Sequence, residues 1–150
     1  MAMISRLEFR FERGGSFIAR LLPDFAPKTV EAVLSLLPME VTVYHTRWCG
    51  REINFPVRSA RAVPRERQTS TANTGDVVYW TEWEIGDGAN EALAVYYGAE
   101  VIRDHRGFLP VNVFARVPED QWSQIEEIGL RIWRQGTERL LVAGLEESGG

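Results

Sequence analysis

The chain has 150 residues, 45% of them hydrophobic and 25% charged, an ordinary globular composition long enough to bury a core as one domain, residues 1–150. A net charge of -4 excludes the broad basic face that general nucleic-acid binding needs, so no nucleic-acid partner is expected. One cysteine excludes an internal disulfide, and no apolar run reaches membrane length, so the expected setting is cytoplasmic, with no membrane partner.

Leu7, Phe9 and Phe11 alternate with charged residues and predict a half-buried strand. Gly14-Gly15 supplies a turn, and Ser16 to Leu22 reads as the returning strand. Pro27 suits the first turn of a helix whose face carries Val30, Val33, Leu34 and Leu37 and which stops at Pro38. Val41 to Phe55 then reads as two strands joined at Gly50. Val41, Val43, His45, Arg47 and Cys49 share one face that turns from apolar to polar.

Residues 58–75 carry Pro64, four arginines and a polar run, and are expected to form a flexible loop. The run V-V-Y-W-T-E-W predicts a strand through Trp83, Glu91 to Gly98 another, and Asp104 to Gly107 a turn. Val111 to Val117 is the next strand. Pro118-Glu119-Asp120 opens a second helix with Trp122, Ile125, Gly129, Ile132 and Trp133 on its buried side, closed by Gly136. Thr137 to Leu145 is expected to be the last strand, followed by a tail over about 147–150. Antiparallel hairpins with two helices interposed predict a mainly β fold, a closed or nearly closed barrel capped at its ends.

With A-P-K-T-V-E-A-V in the first helix, Y-H-T-R-W-C-G-R-E-I-N-F, G-D-V-V-Y-W, V-Y-Y-G and G-F-L-P-V-N-V-F-A-R-V, the chain resembles the cyclophilin-like superfamily. It is most similar there to small bacterial proteins of unknown function. The prolyl isomerases carry a Phe-x-x-Gln segment after their arginine, and R-W-C-G-R-E-I-N-F contains none. The resemblance implies a closed antiparallel β-barrel of about eight strands with two capping helices.

The expected site is a polar pocket at the barrel mouth. His45, Arg47 and Glu82 are its candidate catalytic groups. Arginine offers a rigid fork for carboxylate or phosphate, histidine moves protons near neutrality, and an aromatic neighbour can raise a glutamate pKa. Trp48, Arg51, Tyr79, Trp80, Tyr97, Asn112 and Phe114 are the candidate ligand-binding residues, as aromatic walls and polar anchors. Cys49 lies about 13 Å from His45 along a strand, too far for a nucleophile–base pair. No metal-ligand spacing is present, and neither metal nor cofactor is expected. Arg47, Arg51, Arg58, Arg61, Arg65 and Arg67, opposed by Glu52 and Glu66, form a basic stretch suited to small anions.

The expected function is binding of a small anionic or amide-bearing metabolite, with cofactor-independent hydrolysis or isomerisation as its enzymatic form. The alternatives are prolyl cis–trans isomerisation and a non-catalytic homodimeric interaction module.

Overall fold

The computed structural model describes residues 3–46 and 50–147. In chain order the elements are β1 (Ile4–Phe11), β2 (Ser16–Leu21), α1 (Pro27–Leu36), β3 (Met39–Thr46), β4 (Glu52–Val57), β5 (Thr71–Ala72), β6 (Asp76–Thr81) and β7 (Glu91–Tyr96). They continue with β8 (Glu100–Val101), β9 (Arg103–Asp104), β10 (Gly107–Phe108), β11 (Asn112–Arg116), α2 (Trp122–Gln135) and β12 (Glu138–Glu146). Eight strands close into an antiparallel barrel in the order β1-β12-β3-β4-β7-β6-β11-β2. The expected fold class is therefore the observed one, with two helices and a barrel of eight strands.

Alternation decides what fills the barrel. Leu7 and Phe9 of β1, Phe17 of β2, Val43 of β3, Ile53 and Phe55 of β4, and Val77 and Tyr79 of β6 point inward into one continuous core. Phe9 and Phe17 stack with their ring centres 4.8 Å apart.

Each end is closed by a helix. α1 covers the end where β11 begins. The carboxylate of Glu66, from the loop after β4, accepts hydrogen bonds from Lys28 N at 3.0 Å and Thr29 N at 2.8 Å, two donors a helix leaves open at its N-terminus. α2 covers the other end with Ile125, Ile128, Gly129 and Ile132, spaced as one helical stripe. Gly129 is required there, because a Cβ would lie 2.3 Å from the Tyr97 ring. Trp122 and Trp133, expected on the buried side, flank this stripe and are 36% and 48% exposed.

The wall formed by β7, β6 and β11 is largely buried on its outer face as well. After β7 the chain folds back through β8, β9 and β10. Ile102 and Leu109 then pack on Val78, Ala94, Tyr96 and Val113, making a second, smaller apolar cluster outside the barrel.

Two sequence expectations change. The strand read through Trp83 ends at Thr81, and Ile85 N donates to Glu82 O at 2.9 Å, so Glu82 and Trp83 lie in a turn and do not continue the face of Trp80. The segment 58–75, read as a free loop, is tied down. β5 pairs with β8, Thr69 bridges Val111, and Asn112 holds the stretch from Pro64 to Gln68.

Candidate functional site

Those of the residues singled out in the sequence that are described do not meet in one pocket; the wall of the barrel separates them. Adjacent residues on a strand face opposite sides, so Tyr79 points into the barrel and Trp80 points out of it. Asn112 and Phe114 point inward and are fully buried. Phe114 is part of the core. The Asn112 amide accepts from Glu66 N and Gln68 Nε2, both at 3.0 Å, and donates to Thr29 Oγ1 at 3.0 Å and Pro64 O at 2.9 Å. All of its bonds are spent joining α1 and the loop to β11.

His45 and Tyr97 come together at the α2 end. The His45 Nε2 and Tyr97 hydroxyl are 2.5 Å apart, and the Trp133 ring lies 4.8 Å from the imidazole. Burial lowers the His45 pKa and raises that of the Tyr97 phenol, so two neutral groups share this contact at pH 7. His45 Nδ1 is buried and has no hydrogen-bond partner among the described residues. Arg51 is a bracket: its Nε donates to Glu100 Oε1 at 2.8 Å and its Nη2 to Ala99 O at 2.9 Å. Arg47 and Trp48, with Cys49, lie outside the described residues.

The basic stretch is largely engaged within the protein. Arg61 pairs with Glu31, Arg65 lies 5.0 Å over the Trp83 ring, and Arg67 lies 5.0 Å over Phe25. Among the described residues no three His, Cys, Asp or Glu side chains gather as a metal-binding group.

Two cavities stand out among the described residues. The first, about 770 Å³, opens at the α1 end between α1, the loop 59–64 and the β6–β7 hairpin, and takes in Tyr79 and Glu82. The Glu82 carboxylate accepts from Asn90 N at 2.9 Å and so braces the hairpin.

The second cavity, about 170 Å³, lies on the outer face of the wall, roofed by Ile102, Arg103, Asp104 and Leu109. Trp80 and Tyr96 supply aromatic surface, Ala92 and Ala94 leave the room, and Thr46, Glu52 and Asn54 bring polar groups. Register builds this set. Glu52 is paired across the sheet with Thr46 on one side and Tyr96 on the other, so the three outward side chains form one row across β3, β4 and β7. Glu52 is only 8% exposed. Burial pushes its carboxyl up from 4.5 to about 7, against hydrogen bonds from the Thr46 and Tyr96 side chains that favour the charged form. A carboxyl balanced near neutrality in a small cleft can both donate and accept a proton.

Glu52 entered the sequence reading only as a counter-charge to the arginines. The alternation of Ile53 and Phe55 assigns it to the outer face, where a glutamate is normally solvated. Only the fold-back of residues 99–111, a non-local event, buries it.

The barrel is similar to that in the structure of McbB in complex with tryptophan, with a TM-score of 0.73 and 17% identity over 96% of this chain and 46% of that one. The chain thus spans about half the length of McbB. It is also similar to the solution structure of the hypothetical protein AF2241 from Archaeoglobus fulgidus, with a TM-score of 0.63 and 24% identity over 97% of this chain and 98% of that one. At these identities the likeness shows the fold alone. No curated protein matches the sequence. A family does match, over residues 11–143, and the chain belongs to it: the family described as protein of unknown function (DUF3830).

Proposed function

We propose that the protein binds a small, flat, amide-bearing metabolite in the cavity on the outer face of the barrel, with the Glu52 carboxyl reading the amide edge. The observation that carries this reading is a buried carboxyl on the wall of an otherwise largely apolar cleft. A protonated carboxyl presents one O–H donor beside one carbonyl acceptor, the complement of the N–H and C=O on one edge of a cyclic amide. The cavity is close in size to the engineered apolar cavities of about 150 Å³ that take up benzene, so it suits a single ring. Trp80 and Tyr96 provide aromatic surface for that ring.

The same group supplies acid–base chemistry without a cofactor. Protonated, Glu52 donates to the amide oxygen; ionised, it accepts a proton from the neighbouring nitrogen. Moving both protons in turn is a tautomerisation, the isomerisation this geometry supports best. The eight-stranded barrel with a helix over each end supports placing the chain in the cyclophilin-like superfamily. McbB was solved with tryptophan, which supports the use of this fold for small metabolites.

The test is the affinity for 2-pyridone, a flat cyclic amide, at about pH 6 and about pH 8. Binding is expected at the lower pH and should weaken roughly tenfold per pH unit above 7, as Glu52 loses its proton. Glu52→Gln keeps one donor and one acceptor and should bind equally at both pH values. Equal affinity of the parent protein at both pH values, or no binding at either, contradicts the reading.

A further inference from the structure

The cavity at the α1 end is separate from the outer-face cavity, and the inference drawn from it does not rest on the function proposed above. Its floor is organised around Glu91, the first residue of β7. The inward alternation that buries Leu93 and Val95 also brings Glu91 to the inner side, beside Tyr79. The Tyr79 hydroxyl donates to Glu91 Oε1 at 2.6 Å, Ser59 N donates to Oε2 at 3.1 Å, and the Ser59 hydroxyl shares its one proton between Oε1 and Arg61 O, the latter at 2.8 Å. Burial, and then the Glu91 carboxylate itself, push the Tyr79 phenol well above its ordinary range, so it stays a donor.

A carboxylate has about four acceptor positions. Oε1 receives two hydrogen bonds and Oε2 one, which leaves one position on Oε2 for a ligand donor. The carboxylate is thereby fixed in orientation but not saturated.

The rest of the lining states which donor fits. Two cations line this cavity, Lys28 and Arg61, and both pair with the single carboxylate of Glu31. Glu82, Asp87 and Glu91 add three further carboxylates, so the lining as a whole is net negative. Trp83 stands beside Tyr79, ring centres 6.0 Å apart and nearly perpendicular, with its indole Nε1 anchored to Val63 O at 2.8 Å. Arg65 already lies 5.0 Å over this indole, so the ring serves as apolar surface for a ligand's body while the negative lining takes its cation. At about 770 Å³ the space falls within the range of small-molecule pockets.

From these features we infer that the α1-end cavity is a second binding site, for a primary amine on an aromatic or aliphatic body, its ammonium donating to Glu91 Oε2. Small anions are excluded from it by the three carboxylates.

The experiment is NMR observation of the Ala32 and Ala89 methyls and the Trp83 indole N–H during titration with 2-phenylethylamine and, separately, phenylacetate. The amine should shift these signals in a saturable way and phenylacetate should not. Glu91→Gln should weaken the amine by about tenfold or more, the loss expected of a hydrogen bond to a charged group. Asp87 is exposed in the hairpin, and among the described residues its side chain makes no hydrogen bond or ion pair. Asp87→Lys should therefore leave the melting temperature unchanged and still weaken the amine several-fold, which keeps the test valid if the Glu91 variant does not fold. Equal or stronger binding of phenylacetate, an undiminished affinity in Asp87→Lys, or no response of the cavity signals to the amine overturns the inference.

Discussion

Glu52 and Glu91 carry the two proposals, and they differ in what the fold gives each of them. Glu91 accepts hydrogen bonds from the Tyr79 and Ser59 side chains and from Ser59 N, which fix its carboxyl in orientation. Glu52 is surrounded by apolar groups and hydroxyls and is balanced near pH 7. That balance has a consequence for stability. Because the folded state raises the Glu52 pKa, it holds a proton that the unfolded chain releases once the pH passes about 4.5. The contribution of Glu52 is therefore neutral at acid pH, declines as the pH rises from about 4.5 to about 7, and levels off above that. At 1.36 kcal/mol per unit the decline amounts to roughly 3 kcal/mol. Glu52→Gln removes the ionisation, so denaturant melts across this range should show a flatter pH profile for the variant and higher stability than the parent near pH 8. A parallel profile in the two proteins would show that Glu52 titrates as an ordinary exposed acid.

At the level of elements, much of the architecture was legible because each strand writes its inner face in period two. Leu7-x-Phe9-x-Phe11, Val41-x-Val43-x-His45 and Ile53-x-Phe55 read correctly. Pro27 marks the start of the first helix and Gly136, at φ 93°, the end of the second. The site was less legible, for two reasons. Tyr79 and Trp80 are neighbours in sequence but lie on opposite sides of the wall, so a list of nearby aromatics merged two cavities. Asn112, a polar residue breaking an apolar strand, looked like a ligand anchor but is a tether between elements. Its role is testable: Asn112→Ala removes four buried hydrogen bonds and should cost about 3 kcal/mol. Hydrogen exchange should accelerate in residues 64–69 in particular, while the amides of β1 and β12 keep their relative protection. Uniform acceleration along the chain would argue for general destabilisation instead of a released loop.

On the scale of the whole molecule, the barrel is a filled scaffold with its helices as stoppers, and the two cavities described lie at one rim and on one outer wall. The rim cavity is large and acid-lined; the wall cavity is small and largely apolar, with the Glu52 carboxyl on the wall and Arg103 and Asp104 in the roof. The two are built by different segments: the loop 59–64 with the β6–β7 hairpin in one case, the fold-back 99–111 in the other. Each can thus be altered without disturbing the other. The claim that the outer wall binds a cyclic amide through a carboxyl balanced near neutrality is tested most directly by following the Glu52 side-chain carbon by NMR as a function of pH, with and without 2-pyridone. The account predicts a midpoint of about 7 in the free protein, moved upward by the ligand because the ligand holds the protonated form. A midpoint in the ordinary glutamate range, or one that the ligand leaves in place, would contradict it.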